Sequence, residues 1–130
     1  MPTIPFRTLA RLARLAPLAL LGACGDPTGA EAAPLAVTVT PTEIRVENRG
    51  SRPVYLFALD RERLSLTLWA PCVDVPGCPP PLAPGAVDTT RFDATNGMRP
   101  GREAAVAWWY ARRSPRGFEP DSVRELIVPL

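Results

Sequence analysis

Residues 43–47 read Glu43-Ile44-Arg45-Val46-Glu47, a strict alternation of charged and β-branched apolar side chains. Successive side chains of a strand point to opposite faces, so the pattern predicts Ile44 and Val46 against a core and the three charges in water. Asn48-Arg49-Gly50-Ser51 then turns the chain. Pro53 opens Val54-Tyr55-Leu56-Phe57-Ala58-Leu59, apolar on both faces, which suits a central strand covered on each side. On the N-terminal flank, residues 35–40 form a further β-type run closed by Pro41.

Beyond residue 59 the charged stretch 60–63 reads as a hairpin connection, and Leu64, Leu66 and Leu68 alternate with Ser65, Thr67 and Trp69 as a strand with one leucine face. Residues 71–84 hold six prolines and two cysteines, an ordered but irregular loop. Residues 87–92 read as a weaker strand. Asn96-Gly97 and Pro100-Gly101 read as turns, residues 103–112 as the strongest late strand and residues 121–128 as the last one. About seven short strands with turns between them, and no helical period, predict an all-β chain folded as an immunoglobulin-like or fibronectin-like antiparallel β-sandwich over residues 35–130.

The N-terminal segment, residues 1–34, is of a different kind. Residues 1–14 carry Arg7, Arg11 and Arg14 and no acid, and Leu15 to Ala23 is a nine-residue apolar run, the charged and apolar regions of a secretory signal. A bilayer-spanning helix needs about twenty apolar residues, and Arg14 and Asp26 close this window well short of that. Directly after the run, Leu21-Gly22-Ala23-Cys24 resembles the bacterial lipobox: a branched apolar residue, two small ones, then cysteine. The alternative for an arginine-rich, acid-poor leader is an organellar transit peptide, which leaves the small pair and the cysteine unexplained. The resemblance implies a signal peptide over 1–23 and acyl chains on Cys24, with membrane lipid as the partner of those chains. It also implies a cell-envelope location, and Gly25 after the cysteine resembles the outer-membrane-sorted class. Residues 24–34, small and polar, read as a lipidated flexible tether.

Three cysteines leave one over in an oxidising compartment; with Cys24 assigned to lipid, Cys72 and Cys78 form a pair. Five intervening residues with a Pro-Gly turn allow a small disulfide loop; a redox pair or metal ligands are the alternatives for this spacing. The pair does not sit on strands facing across a core, unlike the inter-sheet bond of antibody domains.

Val46-x-Asn48-x-Gly50-x-x-Pro53-Val54-x-Leu56, the later Leu82-Ala83-Pro84-Gly85, and Pro100-Gly101 before the final strands resemble bacterial secreted Ig-like domains, including the BsuPI-type proteinase-inhibitor fold. Arg102 and Glu103 follow the last turn where that family carries a tyrosine. The resemblance bears on fold, and for function it adds one competing expectation, an inhibitor-like domain using the loop 71–84.

The formal charge of +2 and pI of about 8.7 include three arginines of the leader. Without them the chain is near −1, so there is no electrostatic case for nucleic acid. Histidine and lysine are absent, which removes Ser-His-Asp and Cys-His catalysis, Schiff-base chemistry and the commonest zinc sites. Asp74, Asp88, Asp93 and Asp121 read as solvated acids with no context that would split two carboxylates into acid and base. No catalytic, cofactor-binding or metal-ligating residue is expected. Alternation in 103–112 puts Val106, Trp108 and Tyr110 on one face and Trp109 on the other, above Ala105, Ala107 and Ala111. Trp109 is therefore the expected contact residue for an envelope protein, unless Arg112 or Arg113 covers it. These readings converge on a membrane-tethered, non-catalytic module.

Overall fold

The computed structural model describes residues 33–130, and the readings placed on the signal peptide, on Cys24 and on most of the tether lie outside them. The described residues form a compact unit by themselves. It is an antiparallel all-β sandwich. The elements are β1 (Leu35–Val39), β2 (Glu43–Asn48), β3 (Tyr55–Asp60), α1 (Arg61–Leu66), β4 (Val87–Arg91), β5 (Glu103–Trp109), β6 (Ala111–Ser114), β7 (Gly117–Pro120) and β8 (Arg124–Pro129).

One sheet has the order β1-β2-β4 and the second β3-β5-β8. This is the connectivity of an immunoglobulin-type sandwich lacking the fourth strand, whose place in the chain is taken by α1 and the proline loop. The β6–β7 hairpin is a separate two-stranded sheet inserted before the last strand.

The alternation in β2 holds: Ile44 and Val46 are fully buried, and Leu56, Ala58, Ala104, Val106 and Trp108 face them from the second sheet. Each of the larger aliphatic ones contributes roughly 1.5–3 kcal/mol by leaving water, and each alanine methyl about 0.8 kcal/mol. Asn48, at the end of β2, is buried as well. Its amide Nδ2 donates to the carbonyls of Arg52 and Leu82 at 2.8 and 2.9 Å, and its Oδ1 accepts from the Gly50 amide at 2.9 Å. One side chain thus holds the 48–54 turn to the far end of the proline loop. Gly50 is required by close approach, since a Cβ there would lie 2.8 Å from Cβ of Pro34.

Four expectations are corrected. The strand read over residues 64–69 does not exist. Asp60 instead caps a short helix, its Oδ1 accepting from the Arg63 amide at 3.1 Å, with Glu62 in the first turn. Only Leu64 is buried, while Leu66 and Leu68 face solvent. β3 is covered on both faces but pairs with β5 alone in its sheet, so the central strand is β5. The run 103–112 breaks at Tyr110, whose amide donates to Asp121 Oδ1 at 3.3 Å and whose carbonyl accepts from the Asp121 amide at 2.9 Å. The break sends the chain into the unanticipated β6–β7 hairpin. The fourth correction, Trp109, belongs to the site.

Candidate interaction surface

Strand alternation orders the aromatic cluster as expected: Val106, Trp108 and Tyr110 enter the core between the sheets, and Trp109 points the other way. Trp109 is nevertheless 1% exposed. The expectation of an outward contact residue is wrong because the proline loop folds over that face. Neither Arg112 nor Arg113 supplies the cover; Trp69, Val73 and Cys78 do, together with Tyr55 and Phe57. The rings of Tyr55 and Trp109 stack with centroids 6.1 Å apart, and the edge-on pair Phe57–Trp69 closes at 4.7 Å. Trp109 Nε1–H donates to the Cys72 carbonyl at 2.8 Å, so the buried indole is satisfied by the loop it supports.

Cys72 and Cys78 are disulfide-bonded with Cα atoms 5.7 Å apart. Between them the Cys78 amide donates to the Val75 carbonyl at 3.0 Å, Gly77 takes φ +85° and Asp74 takes φ +52°. The loop is a tight turn and not an extended segment. Asp74 is the one residue other than glycine with positive φ among the described residues, a conformation that costs a side chain of this kind about 1 kcal/mol.

A groove of about 280 Å³ runs between this loop and the β6–β7 hairpin. Tyr55, Val73, Asp74, Pro81, Arg52 and Phe118 are among the residues that line it. Phe118 is 61% exposed. Arg52 is held over the ring of Tyr110, 4.1 Å from its centroid, and donates to the Ala111 carbonyl at 3.3 Å. Phe118 and Arg52 carried no signal in the linear pattern, since both depend on which loop and hairpin meet.

The opposite end of the sandwich holds the strongest electrostatic feature. Arg102 donates to both oxygens of Asp60 at 2.8 Å and to Glu62 at 2.8 Å. Asp60 is 2% exposed. The Arg102 hydrogen bonds hold its carboxyl down at about 2, against the opposing pull of burial, with help from the Arg63 amide. The same contacts push the Arg102 guanidinium further up, so it stays charged. An acid held ionised between a helix cap and an arginine fork clamps the start of α1 to the residue just before β5, and is the opposite of a proton donor's environment. Asp74, Asp88, Asp93 and Asp121 do not converge. Asp93 instead organises its own turn through the amides of Thr95 and Asn96, and Asp121 pins Tyr110. Among the described residues no three metal-type ligands come together.

No family model, curated protein or solved structure matches this chain.

Proposed function

We propose that this chain is a lipid-anchored protein of the bacterial cell envelope, acylated at Cys24, whose Ig-type domain acts as a non-catalytic binding module. The observation that carries the reading is the position of Cys24, directly after Leu21-Gly22-Ala23 and a nine-residue apolar run. The Cys72–Cys78 bond supports it, because structural disulfides belong to compartments outside the cytosol, and because this bond engages two of the three cysteines. Residues 24–34 would then link the acyl chains to the domain, with the outer membrane favoured by Gly25.

The module reading rests on the groove beside Phe118, which takes over the role first expected of Trp109. The competing inhibitor reading would place the loop 71–84 in another protein's cleft. A substrate-like insert needs extended backbone that can pair with the cleft walls. The turn at Val75–Cys78 and the left-handed Asp74 favour the module over the inhibitor.

The experiment is metabolic labelling. The full chain expressed in a bacterial host with labelled palmitate should take up label and partition into detergent, and Cys24→Ala should abolish both. Label retained by the alanine variant would overturn the assignment.

A further inference from the structure

Strand register sorts the domain into two ends. Leu35 pairs with Asn48, Glu47 with Val87, and Tyr55 with Trp109, so the chain enters the domain at the end where β5 leaves it for the β6–β7 hairpin. Two contacts confirm the proximity: the Pro34 carbonyl accepts from the Arg49 amide at 2.7 Å, and Arg52 reaches Ala111 at the hairpin base. α1, Arg99, Arg102 and Leu130 lie at the other end.

The hairpin itself is cationic with an apolar point. Arg113 and Phe118 are direct cross-strand partners, so their side chains share one face, and Arg116 sits in the connecting turn. All three are exposed. Arg112 is paired with Glu119 at 3.3 Å, on the other face of the hairpin, while Arg113 and Arg116 make no ion pair among the described residues. Among the described residues the one carboxylate lining the adjoining groove is Asp74, and Arg52 lines it as well. A solvent-exposed aromatic beside two exposed guanidinium groups that make no ion pair among the described residues fits a surface that is apolar beneath and phosphate-rich above.

We propose that the β6–β7 hairpin docks on an anionic lipid surface, Phe118 entering the interface and Arg113 and Arg116 meeting lipid phosphates. The choice of a bilayer over an acidic protein rests on the anchoring reading above. A tether from Cys24 to Pro34 reaches about 35 Å at full extension, which keeps the domain near the membrane without orienting it. The hairpin would orient it, with the entry end down and α1 away from the lipid.

The test uses the unanchored unit, residues 31–130, and is therefore independent of lipidation. Sedimentation with vesicles of phosphatidylglycerol and phosphatidylcholine should show binding that vanishes at high salt and with phosphatidylcholine alone. Each arginine near such a surface is worth about fivefold, so Arg113→Glu with Arg116→Glu should weaken binding at least about tenfold, and Phe118→Ser about threefold or more. Arg91→Glu with Arg99→Glu, the same charge change at the other end, should leave it within about twofold. All these side chains are exposed, and thermal midpoints will establish that each variant is folded. Absence of phosphatidylglycerol-dependent binding, or equal weakening by both double variants, overturns the proposal. Binding to polyglutamate without binding to vesicles also overturns it and assigns the arginines to an acidic protein. Vesicle binding by the unit together with absence of palmitate on Cys24 would uphold the hairpin and remove the anchor.

Discussion

The indole N–H of Trp109 and the carbonyl of Cys72 are 2.8 Å apart, one on the central strand and the other at the root of the disulfide loop. Through this bond the second apolar cluster, built on Tyr55, Val73 and Trp109, is closed by a segment with no regular secondary structure. The proline loop is therefore part of the core and the outer face of β5 is not a free surface.

Trp109→Ala should accordingly cost about 3–5 kcal/mol, as much as Trp108→Ala. Trp109→Phe, which keeps most of the apolar area and loses the bond to Cys72, should cost about 1–2 kcal/mol. Urea denaturation midpoints check both. A loss below about 1.5 kcal/mol for the alanine variant would remove the indole from the core.

Replacing Cys72 and Cys78 together by serine should destabilise the domain by roughly 2–2.5 kcal/mol, the value expected for so short a closed loop. The same variant should loosen the cover over Trp109, which is read as a red shift of its fluorescence. Mass spectrometry of unreduced protein should find one cross-linked peptide pair. Two cysteines open to alkylation without reductant would count against the bond.

Asn48 makes three side-chain hydrogen bonds from a fully buried position. Asn48→Ala leaves the Arg52 carbonyl and the Gly50 amide without this partner, while the Leu82 carbonyl keeps the Val54 amide at 3.0 Å, and should cost about 2–4 kcal/mol. Asn48→Asp should be no better, because it sets a buried charge against the carbonyls of Arg52 and Leu82. A thermal melt of the aspartate variant near the wild-type midpoint would show that the turn is held by something else.

The Asp60–Arg102 clamp has a definite pH dependence. Its carboxyl is lowered from 3.8 to about 2 in the folded state. The contribution is therefore fully present above pH about 4 and is lost as pH falls through about 2. Wild type and Asp60→Asn should differ in stability at neutral pH, and the difference should narrow between pH about 4 and pH about 2. Arg102 stays protonated throughout and contributes no transition of its own. A difference that is constant across this window would mean that the charge of Asp60 plays no part.

Local pattern alone determined the strands whose two faces have different surroundings. Ile44 and Val46 alternate with charges, and Val106 and Trp108 with small residues; these placements hold because period two is a property of the strand itself. The pairing of Cys72 with Cys78 was legible for a similar reason, being short-range and forced by parity once Cys24 is set aside. Leu64, Leu66 and Leu68 misled because their two-residue spacing corresponds to no common face: Leu64 packs inward from a short helix, while Leu66 and Leu68 are exposed. The capping geometry of Asp60, with Arg102 brought from 42 residues away, decides for the helix over a strand. Trp109 misled for a different reason. Alternation states which way a side chain points, and only the tertiary structure states what lies there. A proline-rich loop carries no periodic signal of its own, yet it buries an indole because its prolines lose little conformational freedom on ordering and its disulfide removes more. The same long-range meeting of loop and hairpin leaves Phe118 exposed beside arginines that make no ion pair among the described residues, so the proposed docking surface follows from packing and not from pattern.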